Sequence, residues 1–90
     1  MIDLNTLTPD QRHIETLRRH GARVGTPDGS VELNSFFYYN AIDEVNRIGA
    51  NAITYRLILP GIEDEMAIAI HRDGHVDSGS ADMLERVLDR

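Results

Sequence analysis

In two neighbouring stretches of the chain, residues 52–59 and 65–71, a large apolar side chain occupies every second position. A period of two is the repeat of a β-strand, whose successive side chains point to opposite faces. The connection at 60–64 opens with proline and glycine and is too short for the crossover that a parallel pair requires. The two stretches therefore predict an antiparallel hairpin, whose inward side chains are Ile53, Tyr55, Leu57 and Leu59 on one strand and Met66, Ile68 and Ile70 on the other.

A short third strand, 75–77, is predicted after the turn at 72–74. A two-residue loop would place Val76 on the face opposite the apolar side chains of the second strand. A three-residue loop with a glycine bulge instead keeps Val76 on the apolar face and sets His71 opposite His75. We prefer the second register because it leaves the hydrophobic face continuous.

Two helices are predicted in the first half of the chain. Thr8 precedes a proline and stands three residues before a glutamine, which is the spacing of a capping box, so a helix is expected over 9–20. A second helix is expected over 35–48, ended by a glycine, with the apolar stripe Phe37, Ala41, Val45 and Ile48. In the alternative, residues 36–39 end a strand and a shorter helix follows Asn40, because aromatic residues favour strands.

A third helix is predicted over 80–90, with Ser80 as its cap and an apolar face formed by Met83, Leu84, Val87 and Leu88. The stretches 22–25 and 30–33 flank a Pro-Asp-Gly turn and could pair as an additional hairpin. Ninety residues suffice for a single core. We therefore expect residues 1–90 to form one α+β domain of two layers, in which three helices cover a three-stranded antiparallel meander.

The composition excludes several classes of chemistry. Cysteine and lysine are both absent, so the chain has no thiolate nucleophile, no cysteine-bound zinc, no Schiff base and no P-loop lysine. No apolar run approaches the roughly 18 residues of a transmembrane helix, and the first residues lack the pattern of a secretory signal. A cytoplasmic protein without a membrane partner is expected.

The histidines are the candidate metal ligands or general bases at neutral pH. His71 and His75 are cross-strand neighbours in the preferred register, but a zinc site takes three or four ligands. We therefore expect no metal, no cofactor and no catalytic residue. The alternative is a small metal-dependent or hydrolytic module built on these two histidines with Asp73 or Asp77.

Charge is unevenly distributed along the chain. Residues 1–24 carry four arginines and three acids, a net +1, whereas residues 25–90 carry five arginines and twelve acids, a net −7. Such a surface repels phosphate, which disfavours direct nucleic-acid binding. The acidic groups Asp43-Glu44 and Glu63-Asp64-Glu65 either keep the protein soluble or dock onto a basic, nucleic-acid-handling protein complex.

The aromatic run at 36–39 is the most informative segment for function. On the predicted helix, Phe36 falls on the polar face with Asn40, Asp43 and Arg47, and exposed aromatic residues are enriched at binding hot spots. The predicted protein-binding residues are Phe36, Tyr39, Asp43, Glu44, Glu63, Asp64 and Glu65. In the competing interpretation, helix 1 or the first hairpin covers the aromatic side chains.

The leading hypothesis is a small non-enzymatic protein-binding domain that engages a partner protein as a monomer. As a stand-alone, lysine-free, acidic domain with no catalytic motif, the chain resembles in general character the small inhibitors of phages and mobile elements, such as anti-CRISPR proteins. No particular motif carries that likeness. A homodimer that buries its own exposed aromatic residues is a further alternative.

Overall fold

The structure of the protein, a computed structural model, describes residues 8–80. In chain order its elements are α1 (Pro9–Arg19), β1 (Arg23–Thr26), β2 (Gly29–Glu32), α2 (Ser35–Ile48), β3 (Ala52–Ile58), β4 (Met66–His71) and β5 (Val76–Ser80). The strands form one antiparallel sheet in the order β2-β1-β3-β4-β5. The α+β class is therefore as predicted.

The predicted three-stranded antiparallel meander is present as β3-β4-β5, but within residues 8–80 it is part of a sheet of five strands. The N-terminal hairpin is present, and β1 pairs with β3 through Val24 opposite Leu57, which joins the hairpin to the meander. The third strand is also longer than the predicted 75–77. Ser80, expected to cap a third helix, is the last residue of β5, and the rest of that predicted helix lies outside the described residues.

Helix α1 begins with the predicted capping box. The Thr8 hydroxyl accepts a hydrogen bond from the Gln11 backbone at 3.2 Å, and the Gln11 side chain accepts one from the Thr8 backbone at 3.0 Å. Two further contacts attach α1 to β5: the Val76 backbone N–H donates to Asp10 at 3.0 Å, and His13 lies 2.7 Å from the Ser78 hydroxyl. The helix is thereby fixed against the edge strand of the sheet.

Helix α2 has the predicted bounds. Its N-cap is Asn34, whose side chain accepts a hydrogen bond from the Phe37 backbone at 2.9 Å, and its C-cap is Gly49 at a φ of 72°. Because β2 and β3 both run antiparallel to β1, they point the same way, and α2 is the crossover that connects them.

The buried side of α2 differs in part from the predicted stripe. Ala41 and Val45 are buried as expected, but Ile48 is 51% exposed and Tyr38, which was not in the stripe, is only 5% exposed. The Tyr38 hydroxyl donates a hydrogen bond to the Gly74 carbonyl in the β4–β5 turn. Burial of this tyrosine therefore depends on a partner far away in the sequence.

Both helices share one core with the sheet. Within residues 8–80, its buried members come from α1, α2, four of the strands and the residues that flank the N-terminal hairpin: Ile14, Ala22, Val24, Leu33, Tyr38, Ala41, Leu57, Ile68, Ile70 and Val76. Val76 lies opposite Ile70 and His71 donates its backbone N–H to the His75 carbonyl at 2.8 Å, so the preferred three-residue turn register is confirmed. Neither α1 nor α2, the helices described, has the length and apolarity needed to cross a membrane.

Candidate functional site

One face of α2 is exposed to solvent and carries two large aromatic side chains. Phe36 is 78% exposed and Tyr39 is 50% exposed. The cause is the rotation of the helix: with Ala41 and Val45 turned into the core, the 100° step between residues directs Phe36 outward. Neither α1 nor the β1–β2 hairpin covers Phe36, so the competing interpretation, in which one of them buries this side chain, was wrong.

Tyr39 is held in place more firmly than its exposure suggests. Its hydroxyl accepts a hydrogen bond from the side-chain amide of Gln11 on α1, and its ring lies 5.3 Å from that of Tyr38. Since Tyr38 is buried and bonded to Gly74, the exposed edge of the Tyr39 ring has a fixed position. The two aromatic side chains therefore differ, because Tyr39 is anchored and Phe36 projects.

A groove separates α2 from the edge strand β2 beside Phe36. Its volume is about 240 Å³, and its apolar walls come from both elements. Val31 of β2, 40% exposed, forms one side, and Phe36 with Phe37 forms the other. Polar lining is supplied by Glu32, Asn34 and Asn40. The exposed phenylalanine is thus part of a concave apolar surface.

The two acidic residues predicted on α2 are in different electrostatic situations. Asp43 is exposed and has no ion-pair partner among residues 8–80. Glu44 accepts hydrogen bonds from Arg47 one turn later, with 2.9 Å between Nε and Oε2. The hydrogen bond from Arg47 lowers the pKa of Glu44. Asp43 is therefore the residue whose charge is fully available to a partner.

The second predicted acidic group lies on a different element. Glu63, Asp64 and Glu65 are exposed in the connection between β3 and β4. No hydrogen bond or ion pair described within 8–80 joins them to α2. The structure thus brings four of the seven predicted binding residues onto one helix and leaves these three on the 59–65 connection.

The two paired histidines belong to a network with two carboxylates. The ring centres of His71 and His75 are 5.3 Å apart, and both rings contact Asp77, His71 at 2.9 Å and His75 at 3.1 Å. The other ring nitrogen of His75, Nδ1, lies 3.2 Å from the Asp10 carboxylate, which also accepts the hydrogen bond from the Val76 backbone N–H. Within residues 8–80, no group of three or more such side chains is arranged to hold a metal ion.

Sequence reasoning missed Val31, Gln11 and Asp10 as partners of these sites. Each belongs to an element that meets its partner only in the folded chain, so no local pattern marks it. Comparison of the chain with protein-family models, with curated proteins and with solved structures gave no match.

Proposed function

We propose that this chain is a non-enzymatic protein-binding domain whose contact surface is the exposed face of α2, formed by Phe36, Tyr39, Asp43 and Glu44. One observation carries the proposal: a phenylalanine that is 78% exposed stands on a helix whose other side is fixed in the core. Leaving an aromatic ring in water forgoes the free energy of burying it, on the order of 1.5–3 kcal/mol. A partner that covers the ring recovers that free energy.

The rigidity of this surface supports the same proposal. Helix α2 is capped at both ends, Val45 fixes its rotation, and Gln11 holds the Tyr39 hydroxyl. A surface that is already ordered loses little conformational entropy when a partner binds. The side chain that must be ordered on binding is chiefly that of Phe36.

Charge indicates the kind of partner. Asp43 lies one helical turn or two from the aromatic residues, and the chain as a whole carries −6. An acidic surface favours a basic partner, both in the rate of encounter and in orientation. We propose a basic, nucleic-acid-handling protein complex, which the domain would block as an anti-CRISPR-like inhibitor of phage or mobile-element type. In that arrangement Glu63, Asp64 and Glu65 form a second acidic contact.

Parallel affinity capture from the native host tests this function. The baits are the wild-type chain, Phe36→Ala and Ile58→Ala, which truncates a 37%-exposed apolar side chain of β3 outside both proposed contacts. We expect a protein partner that is retained by the wild type and by Ile58→Ala and is depleted at least tenfold on Phe36→Ala. Equal capture by all three baits would rule out the α2 surface.

A homodimer is the second candidate, and the exposed edge of β2 beside Phe36 favours it. Two copies could cover each other's aromatic residues. Light scattering over a range of protein concentrations separates the two candidates. The partner-binding function predicts a monomer, whereas a stable dimer that Phe36→Ala dissociates supports self-association.

A further inference from the structure

The edge of β2 presents unpaired backbone groups beside the Phe36 groove. Among residues 8–80, strand β2 is the last strand on its side of the sheet. The Leu33 N–H donates to the Ala22 carbonyl at 3.1 Å, so the next opposed pair, Arg23 and Glu32, is of the non-bonded type. The backbone groups of Glu32 therefore point away from β1, and by the same alternation so do those of Ser30.

These outward groups are only partly satisfied. The Arg23 guanidinium donates to the Ser30 carbonyl at 2.9 Å and to the Ser30 hydroxyl at 2.8 Å. For the Ser30 N–H and for the N–H and carbonyl of Glu32, residues 8–80 supply no hydrogen bond beyond the β1–β2 ladder. In the described part of the chain, three backbone groups are thus available to pair with an added strand, and the Ser30 carbonyl has a second lone pair.

The groove lies where such a strand would place its side chains. Alternate side chains of a strand added beside β2 point to the same face as Val31, which is the face that α2 covers. A side chain directed there enters the groove between Val31 and Phe37, with Phe36 over it. A volume of about 240 Å³ accommodates one large apolar side chain.

The charge of this region indicates which residues should flank the side chain that enters the groove. From residue 25 to residue 44 the chain carries four acids and no basic residue: Asp28, Glu32, Asp43 and Glu44. Three arginines from outside that range reach the same region: Arg23 bonds Ser30, Arg47 pairs with Glu44, and Arg18 interacts with Glu32 while it pairs with Glu15. These five acids and three arginines leave a net charge of −2. Basic side chains on either side of the apolar anchor would face this excess. A second copy of the chain would bring the same acids together instead.

We propose that the partner contributes an extended, basic segment that pairs with the edge of β2 as a sixth strand and inserts one large apolar side chain into the groove beside Phe36. The inference rests on the proposed function and specifies its partner. Main-chain hydrogen bonds to Ser30 and Glu32 supply affinity, while the groove and the acids supply specificity. Phe36 is then covered by the inserted side chain.

The test begins with the selection of peptides from a random twelve-residue library on the immobilised chain. We expect the selected peptides to share one aromatic or leucine residue flanked by lysine or arginine, and to lose at least tenfold in affinity on Phe36→Ala. A synthetic peptide of the selected sequence is then the probe. Amide hydrogen exchange by NMR follows the wild-type protein with and without that peptide.

Backbone pairing makes a prediction specific to two amides. In the free protein the amides of Ser30 and Glu32 should exchange rapidly, whereas those of Val31 and Leu33, bonded to β1 and Ala22, should exchange slowly. Peptide binding should slow the first two at least tenfold. Glu32→Pro removes one outward donor and should weaken the peptide at least tenfold, whereas Glu32→Gln keeps the donor and should weaken it only severalfold.

The outcomes separate the two proposals. Peptides that need Phe36 but leave exchange at Ser30 and Glu32 unchanged would overturn strand addition and leave the proposed function standing. No selected peptide, or peptides indifferent to Phe36→Ala, would overturn strand addition, and the proposed function would then fail only if the captured partner is also indifferent to Phe36→Ala. If the two amides are already slow in the free protein and become faster on dilution, a second copy occupies the edge and the basic partner is refuted.

Discussion

Replacement of Phe36 by alanine should leave the fold almost unchanged, in contrast to replacement of Val45. Only about a fifth of the Phe36 side chain is buried, since its exposure is 78%. Full burial of such a side chain contributes about 1.5–3 kcal/mol, so the loss on truncation is about 0.5 kcal/mol. Alanine is the better helix former by a few tenths of a kcal/mol, which offsets most of that loss. The expected net change is within about 0.5 kcal/mol.

Val45 is the matched comparison because it lies on the same helix and has no exposed surface. Truncation to alanine removes two buried methyl groups, about 0.8 kcal/mol each, and leaves a small cavity. We expect the free energy of unfolding to fall by about 2 kcal/mol, which lowers Tm by roughly 8–16 °C in a domain of this size. Urea titration and thermal melting of the wild type and both variants measure the difference. A loss for Phe36→Ala as large as that for Val45→Ala would refute the placement of Phe36 outside the core.

Three further predictions concern the buried tyrosine, the turn that it contacts and the histidines. Tyr38→Phe removes the hydrogen bond to the Gly74 carbonyl and should lower the free energy of unfolding by about 1–2 kcal/mol in urea titration. Burial raises the pKa of Tyr38 above the ordinary tyrosine value of about 10, so the wild type should lose stability as the pH rises past that value, and Tyr38→Phe should lose less. Gly74→Ala should lower the free energy of unfolding by about 2 kcal/mol or more in the same assay, since Gly74 has a φ of +93° and a Cβ there would lie 2.9 Å from the Tyr38 hydroxyl. An unchanged urea midpoint would contradict this geometry. Elemental analysis of protein purified without added metal should show no stoichiometric zinc, whereas zinc that is lost on His71→Ala or His75→Ala would establish the metal-dependent alternative.

Local patterns predicted the elements whose signals are local. The bounds of α2 follow from an asparagine before the apolar period and a glycine after it, and both caps form. The β4–β5 register follows from keeping the apolar face continuous at Val76. The outward position of Phe36 is likewise a consequence of helical rotation. Each of these features depends on residues within a few positions of one another.

The features that were missed depend on tertiary placement. The helical period gives the angle of Ile48 about the axis of α2, but it does not show how far along that axis the sheet extends. Ile48 was therefore wrongly placed in the core, and its side chain is half exposed. Residues 78–80 have low β propensity, yet their pairing with β4 makes them a strand. Asp10 meets His75 only after α1 packs against β5. The groove beside Phe36 likewise depends on tertiary placement, because its walls form only when β2, which carries Val31, lies beside α2.

The affinity of the captured partner for the wild type and for Phe36→Ala is the most direct test of the α2 surface. Isothermal titration with Ile58→Ala as the control measures all three dissociation constants with folded protein. A hot-spot aromatic contributes about 2 kcal/mol or more, which is roughly a thirtyfold loss of affinity for Phe36→Ala, and Ile58→Ala should bind as the wild type does. Equal dissociation constants for the wild type and Phe36→Ala would contradict the proposal that the exposed face of α2 is the binding surface.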